Sequence, residues 1–186
     1  MKKKQQRLVR IIAIVLAILL AGSAIVSVAI SLAYAEEAQP TERNQYSFTM
    51  EYLGEEQALR MSQRLVYTNT SDTALDRVVF YASANLFRRQ NTLPYDAEAL
   101  SAAFPAGFLP GGIDLVNVQM NGENCDWGYQ GEAEMFLRVA CALAPGDSCV
   151  FSFDYYLLLT QNAAFMGVSE SDWRLSGFYF APAALD

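Results

Sequence analysis

From Tyr46 onward the chain alternates apolar and polar residues with a period of two. In YSFTMEY the apolar positions are Tyr46, Phe48, Met50 and Tyr52. In LRMSQRLVY they are Leu59, Met61, Leu65 and Tyr67, with Arg60, Ser62 and Arg64 opposite. The pattern continues through Val78, Phe80, Ala82 and Ala84, then Val116, Val118 and Met120. It returns in Leu137, Val139, Cys141 and Leu143, and in Cys149, Phe151, Phe153, Tyr155 and Leu157. Such alternation predicts strands with one buried face. Turn chemistry separates them at YLGEEQ, NTSD, Asn121-Gly122 and Pro145-Gly146-Asp147. The expected fold is all-β, an antiparallel β-sandwich or curved sheet. One long insertion, 88–113, interrupts it; there Asp96 is placed to cap a short helix over AEALSAAF that Pro105 stops. Covering a sheet edge is its expected role.

The first 45 residues read differently. Residues 1–10 form a basic head, and 11–35 an uncharged apolar run long enough to cross a bilayer as a transmembrane helix. The basic residues are expected to stay cytoplasmic, sending the rest outward. Ala33-Tyr34-Ala35 also fits a signal-peptidase site, so a retained anchor and a cleaved leader both stand. Residues 36–45 read as a polar linker and 46–186 as an extracytoplasmic β-domain. It is held at the cell membrane as a single-pass protein, or secreted if cleaved after Ala35.

Charge narrows the partners. Five of the 13 basic residues precede residue 11, whereas all 20 acidic residues follow residue 35. So acidic a domain repels phosphate backbones, and no nucleic-acid partner is expected. The chain has no histidine, which removes the commonest general base and zinc ligand. The three cysteines have no C-x-x-C spacing and no phosphate-binding glycine motif occurs. No catalytic residue, metal site or cofactor is expected. Tyr155-Tyr156 and Trp173 could line a ligand groove, but core or interface packing is the favoured account of them. Asn69-Thr70-Ser71 is a glycosylation sequon that matters only in a glycosylating host. If both face the core, Cys141 and Cys149 come opposite or one diagonal apart across a hairpin. A disulfide there stands beside the alternative of two buried thiols, with Cys125 left over.

Several of these stretches resemble a known family. VYTNTSDTALDRVVFYASANLF (66–87), FPAGFLPGGIDLVNVQMNG (104–122), CALAPGDSCVFSFDY (141–155) and SGFYFAPAALD (176–186) are similar to the N-terminal β-domain of aminopeptidase N-type zinc metallopeptidases, the gluzincins. The bacterial membrane-anchored relatives are the nearer likeness, over about residues 46–186. Phe165-Met166-Gly167 and Phe180 depart from the family pattern. The H-E-x-x-H zinc motif, the downstream glutamate ligand and the substrate loop have no counterpart here. The resemblance therefore implies a non-catalytic domain with a structural role against a zinc metallopeptidase catalytic domain not in this chain. The other reading is a free-standing extracytoplasmic binding or assembly module of the same fold. WRLSGFYFAP (173–182) is apolar on both faces of one expected strand, which marks Trp173, Phe178, Phe180 and Pro182 as interface candidates.

Overall fold

The computed structural model describes residues 43–162, 165–168 and 172–183. The basic head, the apolar run 11–35 and linker residues 36–42 lie outside the described residues. Among the described residues no helix is long and apolar enough to cross a membrane.

The described part is built from antiparallel sheets. Its strands are β1 (Gln45–Leu53), β2 (Ala58–Thr68), β3 (Leu75–Tyr81), β4 (Gly112–Met120), β5 (Glu123–Asn124), β6 (Trp127–Gln130), β7 (Phe136–Leu143), β8 (Ser148–Leu158), β9 (Met166–Val168), β10 (Trp173–Leu175) and β11 (Ala181–Pro182). One sheet has the order β1-β2-β8-β4-β5 and a second the order β11-β3-β7-β6; β9 and β10 form a separate pair. The two larger sheets bury their apolar faces in one core. Phe80 on β3 meets Phe151 and Phe153 on β8, with ring centroids 5.1 Å apart in each case. Leu59, Met61 and Leu65 of β2 and Leu137 and Val139 of β7 complete that interior.

The turns explain much of the connectivity. Asn121 and Gly122 both have positive φ, 53° and 85°, which suits the tight turn between β4 and β5. The Pro145-Gly146-Asp147 turn after β7 behaves differently from expectation. Gly146 supplies a positive φ, but the turn carries the chain from the second sheet to the first, so β7 and β8 are not a hairpin. Asn69 pins this arch through two backbone bonds, Asn69 N to Asp147 O and Gly146 N to Asn69 O.

Within the insertion the expected capped helix forms, but the sheet edge is met chiefly by residues outside it. Asp96 accepts a hydrogen bond from Ala99 N at 2.8 Å and caps α1 (Ala97–Ala103). Beside β4, whose first half has no strand on its outer edge, a 3-10 turn at Ser83–Arg88 supplies side chains in place of one. Asn85 Oδ1 accepts from Ile113 N at 2.8 Å, while Arg88 and the Tyr129 hydroxyl donate to Ile113 O. Phe87, Leu93 and Phe104 are buried beneath this segment.

The register of β4 departs from strict alternation. Leu115 pairs with Tyr155 and Asn117 with Asp154, so Val116 is an extra residue in β4. This bulge turns Val116 outward, where it is 62% exposed, and returns Val118 to the core. The expectation that Val116 shares a face with Val118 is thereby corrected. The last stretch is likewise not one strand. It breaks at Gly177, whose φ is +62° and whose missing Cβ would lie 2.8 Å from the Cβ of Ser83. β10 and β11 therefore join different partners: β10 pairs with β9 and β11 with β3.

Candidate functional site

The inner face of edge strand β1 carries an aromatic row whose cover thins along its length. Tyr46 and Phe48 are half-buried beneath the C-terminal segment. Tyr46 meets Tyr179 at 5.5 Å, and Phe48 meets Phe178 at 5.7 Å. Farther along, Met50 is 51% and Tyr52 42% exposed. Trp173 on β10 meets the Tyr52 ring edge-on at 4.6 Å and is itself 49% exposed. The hairpin that presents it is anchored by Met166, which is fully buried, and closed by a bond from Ser176 N to Phe165 O. Phe165 at its base is also exposed. Large aromatics left half in water while their neighbours are covered are the kind of surface that marks an interaction site.

Behind this row the C-terminal segment is fixed by Gln63. Its Nε2 donates to Phe180 O at 2.7 Å and its Oε1 accepts from Phe180 N at 2.9 Å. The Tyr155 hydroxyl donates to Phe178 O at 3.0 Å, and burial raises its pKa. Gln63 was readable as inward from its phase between Met61 and Leu65, but a polar residue there carried no sign of its partner. Asn85 and Asn69 are of the same kind. Asn69 is buried, and its Nδ2 donates to Thr73 O at 2.8 Å and Leu143 O at 3.1 Å.

The four interface candidates separate. Phe180 is fully enclosed against Phe153 and Tyr155, which corrects its assignment to an exposed surface. Pro182 is half-buried in β11, paired with Phe80. Phe178 is half-buried against Phe48. Only Trp173 of the four is exposed. Of the two alternatives for Cys141 and Cys149, the structure has unbonded thiols, with Cys149 buried and Cys141 half-buried. β7 and β8 lie in facing sheets, typically about 10 Å apart, whereas a disulfide needs Cα atoms within about 7 Å.

On the opposite face of the first sheet lies a shallow groove of about 260 Å3 beside Thr49, Glu51, Arg60, Val116, Asp154 and Tyr156. Arg60 donates to Glu51 at 2.9 Å and sits 5.8 Å from the centre of the Tyr156 ring. Ser62 donates to Asp154 at 2.8 Å, and the two are direct register partners. These are cross-strand pairs of a solvated sheet face, and exposed ion pairs of this kind contribute little. Tyr156 lines this groove, while Tyr155 points into the core. Among the described residues no group of three histidine, cysteine or acidic side chains is placed to hold a metal ion.

No protein-family model and no curated protein matches the chain.

Proposed function

We propose that this chain is a non-catalytic extracytoplasmic β-domain, tethered by its N-terminal apolar segment, that packs its β1 edge against a protein partner. The sequence resembles the N-terminal β-domain of membrane-anchored, aminopeptidase N-type metallopeptidases, in which the partner would be the catalytic domain. The observation that carries this reading is the exposed Tyr52–Trp173 pair at the uncovered end of an otherwise covered aromatic row. The basic head followed by an apolar run supports the tether, and the resemblance of residues 46–186 supports the kind of partner.

The free-standing binding module has its own supporting observation. Phe180 and Pro182 are taken up within the domain itself, through Gln63 and β3, so the C-terminal segment does not require a second domain to cover it.

A photo-crosslinking residue at position 173 in living cells distinguishes the readings, with exposed Glu98 as the control site. Adducts at 173 with a polypeptide containing H-E-x-x-H support the metallopeptidase partner. Adducts with a different extracytoplasmic protein support the binding module. Equal labelling at 173 and 98 overturns the interface.

A further inference from the structure

Cys125 stands where the chain leaves one sheet for the other. Its N–H donates to Val118 O at 3.1 Å, continuing the β4–β5 ladder, and two residues later β6 begins in the second sheet. In that sheet Trp127 pairs with Val139, Gly128 with Arg138 and Tyr129 with Leu137. The ladder runs one step past the end of β6, because Ala140 N donates to Asp126 O at 2.9 Å. One further step in the same register sets Cys125 opposite Cys141.

The type of pair follows from the bonds around it. Asp126 and Ala140 are opposite one another and hydrogen-bonded, so the next pair, Cys125 and Cys141, is of the non-hydrogen-bonded kind. Consistently, Cys125 N turns away from β7 to reach Val118. Non-hydrogen-bonded partners have Cα atoms about 4.5 Å apart and side chains on the same face. That separation falls within the range of about 4.4–6.8 Å that disulfides span. Both side chains are half-buried and packed on the core. Each thiol rests on a backbone carbonyl, Cys125 on Glu123 O and Cys141 on Leu75 O.

We propose that Cys125 and Cys141 form a redox-active dithiol that closes to a cross-strand disulfide, stapling the crossover between the two sheets. The oxidant is a disulfide donor, of protein or small-molecule kind. The Cys125 thiolate attacks the donor's S–S bond and one donor thiol leaves. The Cys141 thiolate then attacks the Cys125 sulfur of the mixed disulfide, and the second donor thiol leaves. Two protein S–H bonds and one donor S–S bond are lost; one protein S–S bond and two donor S–H bonds form. Cys149, buried in the facing sheet, remains a thiol. This assignment rests on strand register and is independent of the partner proposed for β1.

The full-length chain in mild detergent is incubated with oxidised glutathione and then digested without reduction, using cleavage before Asp147 to separate Cys141 from Cys149. The expected result is a linked pair of peptides containing Cys125 and Cys141, a mass loss of two hydrogens, and a Tm raised by several degrees. The single remaining thiol should alkylate only after denaturation. Cys149→Ala should form the same bond, and Cys125→Ser should abolish it. Three free thiols after equilibration, a mixed disulfide that does not resolve, or a bond that includes Cys149 in the wild-type chain would overturn the proposal without recourse to either variant.

Discussion

Gln63 and Phe180 are bonded to one another as two strands would be, except that one partner is a side chain. The amide of Gln63 donates to the carbonyl of Phe180 and accepts from its N–H, 117 residues away in sequence. An extended segment thus gains a ladder rung inside the core without a neighbouring strand. Replacing Gln63 with leucine keeps the volume and orphans two buried backbone groups. The expected cost is about 2–6 kcal/mol, since each of the two unsatisfied groups costs roughly 1–3 kcal/mol. Urea unfolding of the variant measures it, and a loss below about 1 kcal/mol would remove the bracket from the account of stability.

Phe180 and Trp173 should respond in opposite ways to truncation. Phe180→Ala empties a site between Phe153 and Tyr155 and should cost about 3–5 kcal/mol. Trp173→Ser removes an exposed ring whose mapped contact is Tyr52, and should cost about 1 kcal/mol or less while abolishing any adduct formed through that edge. Equal destabilisation would place Trp173 with the core.

Alkaline pH should destabilise the domain. Burial pushes the Cys149 thiol up to about 12 and raises the Tyr155 phenol as well. Above the ordinary thiol range the unfolded chain loses these protons while the folded chain keeps them. Stability is therefore fully present below about pH 8.5 and falls as pH rises through the folded values. Each group contributes a slope of at most about 1.4 kcal/mol per pH unit. Cys149→Ala should make the decline between about pH 9 and 12 shallower than in the wild type. Parallel pH–stability curves for the two proteins would contradict this.

The Asn69 sequon should carry no glycan in the folded protein. Its amide nitrogen already donates to Thr73 O and Leu143 O, and its Oδ1 accepts from Ser71 N and Oγ. A sugar on Nδ2 would displace the arch between β7 and β8. Chains secreted from a glycosylating host and selected for cooperative unfolding should show an unmodified Asn69 by peptide mass. A folded glycosylated fraction would refute it.

Period and turn chemistry made the strands legible, and local rules did well where the relevant contact is local. Asp96 capping α1 and Asn121-Gly122 joining β4 to β5 each involve residues within a few positions. Sheet partnership is not local. Alternation in Leu137–Leu143 and Cys149–Leu157 gives which residues face inward, but not that the two strands face each other across the core. Pro145-Gly146-Asp147 suits a hairpin and an arch equally; the bonds from Asn69 distinguish them. Val116 escaped because a bulge shifts the phase by one residue without any special residue type. At the β1 edge, Met50 and Tyr52 fit the buried phase, yet they are exposed because the cover thins there. The phase was right and the neighbour was missing.

The bracket between Gln63 and Phe180 also sets an order of events. The site that Phe180 fills against Phe153 and Tyr155 is built on β8, but its occupant arrives only when the chain has been made as far as residue 180. Until then Gln63 has no Phe180 backbone to bond, and an aromatic cavity lies open in the half-built core. Contacts of such sequence separation form late and slowly, and an exposed apolar cavity of this kind favours aggregation. A domain delivered N-terminus first thus lacks its closing side chain until residue 180 has emerged, and its vulnerability to premature association should fall once that residue is in place.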